Sequence, residues 1–223
     1  MNTNASKFVD IFIRKFSSIV DKILRHPYLL SVEGKKLSRE DLKVFVCEQY
    51  HIILNDKRNF ALVASRTSNS LSATLFQECL SFESIALDNI CLLANELSLD
   101  TSQLKSYEPH AGCQAYTNYL SRLASSGSEA EILIAMLTDL PIWGKNCERI
   151  SSALKKNYGF TDDSCLFLDR FATPLSEEFL RKSNEVIEAS ISIYKKEMEI
   201  AARLILDYEL MFWDSIYQYS IKN

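Results

Sequence analysis

Glycine and proline are scarce in this 223-residue chain, at five and four residues. That is about 2 % each, where average usage runs near 7 % and 5 %. A chain so poor in turn residues is ill suited to the many reversals of a sandwich, a barrel or a doubly wound sheet, and well suited to long helices joined by few loops. Basic residues are not in excess: Lys plus Arg number 25 against 29 Asp plus Glu, a net charge of −4. This argues against a nucleic-acid partner, which selects for a basic face. No apolar run approaches the 18 or so residues of a membrane span, and MNTNASKFVDIFIRKF lacks the apolar core of a signal peptide. The expectation is a cytoplasmic protein with neither a nucleic-acid nor a membrane partner.

Histidine is scarcer still, with only His26, His51 and His110. Glu48-Gln-Tyr-His51 has the Glu-x-x-His spacing of di-iron bundles. No second histidine-bearing half exists, because His26 precedes a proline and His110 falls in a loop. No metal and no cofactor is therefore expected, and His51 is read as lining the core or a pocket. Phosphate loops, dinucleotide fingerprints, GxSxG elbows and HExxH are all absent. The six cysteines show no CxxC spacing and sit mostly in apolar contexts, as free thiols do.

What is present is helical periodicity. Apolar residues from Phe8 to Leu24 form one stripe over 7–25, ended by His26-Pro27. Ser38, with Glu40 and Asp41 in the first turn, opens a helix to about 66. Ser70 and Ser72 open another to about 97. A loop over 97–113 follows, then a short helix over 113–124 and one from Glu129 that reaches Pro141, where it either kinks or restarts. Tyr158-Gly159 is a stop signal, and 162–171 is a further short helix. Residues 176–219 hold no Gly or Pro; as one straight helix they would span about 65 Å, so a bend is expected within 188–198. The reading is all-α, seven or eight helices, one domain over 1–223.

Three clusters carry candidate chemistry. In Tyr208-Glu209-Leu-Met-Phe212-Trp213-Asp214, Glu209 and Trp213 are i,i+4 neighbours. A glutamate among aromatics is desolvated, which raises its pKa and suits it to proton transfer. Tyr116 and Tyr119 offer two phenols on one side of a helix. Asp139-Leu-Pro141-Ile142-Trp143 sets a carboxylate and an indole beside a proline.

Taken in order, His26-Pro27 with Gly34, Phe45 to Tyr50, Ala115-Tyr116-Thr117, Ala130 to Pro141 and Tyr208 to Trp213 resemble the TenA/PqqC superfamily over nearly the whole chain. The resemblance implies a haem-oxygenase-like helical bundle, assembled as a homodimer or homotetramer. It also implies a thiaminase II-type hydrolase acting on an aminopyrimidine or related heterocycle in thiamin salvage. Within it, Glu209 matches the family's final-helix glutamate and Tyr116 its middle-helix tyrosine. Gln49 stands where the family has an aspartate, Ile52 and Phe171 where it has tyrosines, and Ile142 in place of its nucleophilic cysteine. Cys147 lies roughly 140° around the helix from Ile142. Carboxylate acid–base catalysis by Glu209, aided by Glu48 or Asp139, is the mechanism that remains. Gln49, Tyr116 and His51 would contact the ring, and Trp143, Phe171 and Phe212 would wall it. A diverged PqqC-like oxidase and a non-catalytic binding or interaction protein of the same fold are the alternatives.

Overall fold

The architecture follows from where helices start and stop. The computed structural model describes residues 4–221. Helix α1 (Asn4–Lys15) leads through Phe16 into α2 (Ser17–Leu24), so the single expected N-terminal helix is broken once. His26 then accepts from the Tyr28 backbone N–H through Nδ1, 3.2 Å, and Pro27 occupies the first position of α3 (Pro27–Glu33). Proline is tolerated there because that N–H has no helical acceptor anyway. A proline read as a terminator thus ends one helix and begins another.

Capping boxes set the next starts. Ser38 and Asp41 exchange side-chain-to-backbone bonds at the head of α4 (Arg39–Arg66). Asn69, rather than the serines after it, caps α5 (Ser70–Glu96). The three residues between α4 and α5 force the two long helices to pack side by side. The stretch read as a loop over 97–113 contains α6 (Thr101–Ser106), opened by an Asp100–Gln103 capping box. α7 (Ala111–Ser126) follows, then α8 (Glu129–Ala153), which begins at a Ser128–Glu131 box and runs through Pro141. A π-turn (Leu154–Tyr158) closes on Gly159 at φ +74°, a left-handed conformation that suits glycine. α9 (Leu166–Ala172) and α10 (Glu177–Ser220) complete the chain, with non-helical backbone at Tyr194 inside the interval where a bend is expected.

α10 is the central strut, packing on α7 and α8 and touching α4 and α5. Its C-terminal half buries Phe212 and Trp213 against Tyr28, Phe45 and Trp143, with ring centroids 5.3–6.4 Å apart. Such aromatic contacts add about 0.5–1.5 kcal/mol each beyond the area they bury. No strand occurs among the described residues, and none of their helices is long and apolar enough to cross a membrane.

Candidate active site

Between α4, α5, α7, α8, α9 and α10 lies a narrow cavity of about 60 Å³. Helical spacing determines what lines it. Gln49, Ile52, Ile53, Asp56 and Phe60 recur at i, i+3, i+4, i+7 and i+11 along α4, one continuous stripe. Met136, Asp139, Leu140 and Trp143 do the same on α8, and Tyr116 with Leu120, and Glu209 with Phe212, are one turn apart on α7 and α10. Glu83 of α5 and Phe171 of α9 close the wall.

The polar groups form a row. Trp213 Nε1 donates to Glu209 Oε1 at 3.0 Å. The Glu209 and Asp139 carboxyls lie within hydrogen-bonding reach of each other. The Tyr116 hydroxyl donates to Asp139 Oδ2 at 2.9 Å. Glu209 Oε2 and Asp139 Oδ1 are buried with no other donor to accept from. One proton between the two carboxyls satisfies both oxygens, whereas two bare carboxylates would repel and leave both orphaned. Burial, with the Asp139 charge beside it, pushes Glu209 well above the usual carboxylate range. Burial raises Asp139 to about 6, the bonds from Glu209 and Tyr116 holding it below its partner. Both carboxyls are thus raised by burial, Glu209 the more strongly, and the pair is suited to sharing one proton.

The row continues through Asp56, which accepts from the Thr117 hydroxyl and from Asn59 Nδ2. Burial lifts Asp56 to about 7 despite those bonds, and the nearby Asp139 adds to the rise. At the far end burial pushes Glu83 well up, Asp56 adds to that, and Lys57 and Arg170 offset part of it. No lysine, arginine or histidine is among the residues lining the cavity. The described residues hold no group of three or more His, Cys, Asp or Glu arranged to bind a metal ion.

The structure brings Glu209, Tyr116, Gln49, Asp139, Trp143, Phe171 and Phe212 to this one cavity. It does not bring His51. That residue is two positions from Gln49, about 200° around α4; its Nε2 bonds the Leu104 carbonyl at 2.9 Å and its ring stacks on Tyr107. Glu48 also faces away, accepting from the Tyr107 hydroxyl, the His110 N–H and Gln114 Nε2, so it pins the α6–α7 connection rather than assisting Glu209. The Glu48–His51 spacing is thus structural. Neither Ile142 nor any of the six cysteines lines the cavity. Burial drives the Cys147 thiol well above its ordinary value, with the neighbouring acidic pair adding to the effect. Asp56 and Glu83 were missed in the sequence. Both were within reach: Asp56 lies seven residues after Gln49 on the same stripe, and Glu83 falls on the buried stripe of α5 between Cys79 and Ala86.

This all-helical architecture is a haem-oxygenase-like fold. A domain of that fold from Shewanella denitrificans superposes with a TM-score of 0.71 at 15 % identity, covering 92 % of this chain and 90 % of its own. A TenA homologue from Pseudomonas syringae pv. tomato superposes with a TM-score of 0.78 at 14 % identity, covering 97 % and 93 %. At such identities the likeness establishes the fold. The sequence profile of the TENA/THI-4/PQQC family matches residues 13–219, and the chain belongs to that family. An aminopyrimidine aminohydrolase from Halalkalibacterium halodurans is 24 % identical over 113 residues, so that the match spans about half of each protein.

Proposed function

We propose that this chain is a TenA-like hydrolase that releases ammonia from an aminopyrimidine or a related heterocycle in thiamin salvage. The observation that carries the reading is the buried Asp139–Glu209 carboxyl pair lining one cavity with Tyr116 and Gln49. Family membership and the relation to an aminopyrimidine aminohydrolase support it.

Two carboxyls whose environments separate their proton affinities divide naturally into acid and base. Glu209 donates its proton to the exocyclic amine nitrogen as the carbon–nitrogen bond breaks. Water attacks the carbon and gives its proton to Asp139; ammonia and the alcohol leave, and the proton returns from Asp139 to Glu209 within the pair. Tyr116 stabilises the Asp139 anion before attack and yields as it becomes protonated. The Gln49 amide, which makes no hydrogen bond to another described residue, bonds the nitrogen edge of the ring, while Trp143, Phe171 and Phe212 supply apolar faces. A neutral amide cannot stabilise a protonated ring as a carboxylate does, so Gln49→Asp should raise turnover of aminopyrimidine.

The test is ammonia release from a 5-aminomethyl-substituted aminopyrimidine by purified protein. Wild type should release ammonia and the alcohol in equal amounts, and Glu209→Gln should lose about 10²–10⁴ in rate, the usual worth of a positioned proton donor. No ammonia from wild type, or full activity in Glu209→Gln, would overturn the reading.

A further inference from the structure

The Asp139–Glu209 pair accounts for one end of the cavity and leaves the other unexplained. There Asp56 and Glu83 face the same space from α4 and α5. Glu83 is only 9 % exposed, lines the cavity, and makes no hydrogen bond to any other described residue. A buried carboxyl without a partner carries a desolvation cost that an apolar residue would spare. In Asp56 one oxygen takes both the Thr117 and the Asn59 bonds, so Oδ2 makes none. Each acid in the row affects the next: Glu83 and Asp56, Asp56 and Asp139, Asp139 and Glu209. Asp56 lies two turns along α4 from Gln49, about 10 Å at 1.5 Å per residue, so the lining acids are spread over the length of the cavity, the shape of a site for an elongated ligand with donors at both ends.

We propose that Asp56 and Glu83 form a second recognition pole, which takes an N–H-rich basic group, an amino or amidine-type function, on the side of the ligand opposite its scissile amine. The inference rests on the reading of the cavity as an aminopyrimidine site and adds a substrate class: a heterocycle carrying basic nitrogen at both ends. Two carboxyl groups a short way apart match the paired N–H donors of an amino group next to a ring nitrogen, and charge-assisted bonds of that kind are about twice as strong as neutral ones. An apolar substituent placed there would bury both acids against a group that can donate nothing. No cationic side chain lines the cavity, and Lys57 and Arg170 act on Glu83 from outside it without an ion pair to it. Burial raises both acids, Asp56 to about 7 and Glu83 well above the usual carboxylate range. Binding a basic group that is already a cation in solution therefore releases a proton, and affinity for that cation should rise with pH through about 7. The groups facing the pole from the other elements are Tyr116, Asp139 and Glu209, with Lys57 and Arg170 acting on Glu83.

The test compares two near-isosteric probes by calorimetry: an aminomethyl-aminopyrimidine with a methyl group on the ring carbon opposite the aminomethyl arm, and its analogue with an amino group on that carbon. Wild type should bind the amino probe about tenfold or more tightly, with proton release in buffers of different ionisation enthalpy. Glu83→Gln, which breaks no hydrogen bond in the folded protein, should bring the ratio to within about threefold and abolish the proton release. Equal affinities in wild type, or a preference unchanged in Glu83→Gln, would overturn the proposal while leaving Glu209-dependent hydrolysis standing. If neither pyrimidine binds, the aminopyrimidine reading falls by itself. Benzamidine then decides the second pole: binding to wild type that Glu83→Gln loses sustains it, and no binding overturns it.

Discussion

Trp213 and Glu209 are one helical turn apart on α10, and the indole N–H donates to Glu209 Oε1 at 3.0 Å within a wall where Trp213 has no solvent exposure. This bond decides which glutamate oxygen does chemistry. With Oε1 held by the indole, Oε2 is the atom left toward Asp139. Trp213 is thus a positioning residue: it bonds the acid and is not itself among the cavity-lining residues.

Trp213→Phe removes the donor and keeps an aromatic ring in the Tyr28–Phe45–Trp143 cluster. The indole bond lowers the proton affinity of Glu209, so its loss makes Glu209 a weaker acid. Expected is a drop of about tenfold or more in kcat with KM little changed, and a basic limb of the pH–rate profile moved to higher pH. Stability should fall by about 1–3 kcal/mol, the cost of a buried acceptor left unpaired. A lower Tm with an unmoved pH profile would reduce Trp213 to packing.

Tyr116→Phe tests the other side of the pair. The phenol donates to Asp139 Oδ2 and favours its anion. Asp139, held at about 6, must be ionised to accept the proton of water, so kcat/KM should rise with pH through about 6. Without the phenol, that acidic limb should move upward and the rate at pH 6 should fall more than the rate at pH 8. A uniform loss across pH would show that Tyr116 acts on the substrate alone.

The residues that proved legible are those whose position follows from local periodicity. Glu209 and Trp213, Asp139 and Trp143, and Tyr116 fall on helix faces that single-helix reasoning can assign, and all but Trp213 reach the cavity. His51 failed for the converse reason: spacing relates it correctly to Glu48, but which face of α4 turns inward is set by the helices packed around it. Glu83 falls on the apolar stripe of α5, which marks it as facing inward, but that this stripe opens onto the cavity depends on how α5 lies along α4. Helix α6 was legible and overlooked, since Asp100-Thr-Ser-Gln103 is a capping box written in the sequence.

Asp56→Asn examines what the buried acids cost the fold. In the native protein Asp56 keeps its proton up to about 7; in the unfolded chain it gives it up near its ordinary 3.8. Between those values the folded state binds more protons than the unfolded one, so the Asp56 contribution to stability falls as pH rises. His26 runs the other way, because burial lowers its proton affinity and unfolding is favoured as pH drops. The clean quantity is therefore the difference between variant and wild type. Asparagine retains an oxygen to accept from Thr117 and never ionises. Expected is little difference in Tm at pH 4 and a stabilisation that grows to several degrees by pH 8. A constant offset across pH would mean that Asp56 is ionised in the native state throughout.

Gly144→Ala probes how closely α8 and α9 must approach to form the cavity wall. In an exposed helix interior this substitution would stabilise by about 0.8–1 kcal/mol. Here an added Cβ would stand 2.7 Å from the carbonyl oxygen of Phe171, a backbone atom with no flexible side chain to yield. The overlap can be relieved only by moving α9, and Phe171 moves with it; its ring contacts Trp143, Phe82 and Phe167 and lines the cavity. Overpacking of this kind costs about 1–3 kcal/mol, which outweighs the helix-propensity gain. Gly144→Ala should therefore lower Tm and also raise KM, because the wall against the ring face is displaced, while the acidic pair on the opposite side of α8 keeps its pH profile. Differential scanning calorimetry with steady-state kinetics checks both halves, and a variant more stable than wild type would mean that α9 is free to shift.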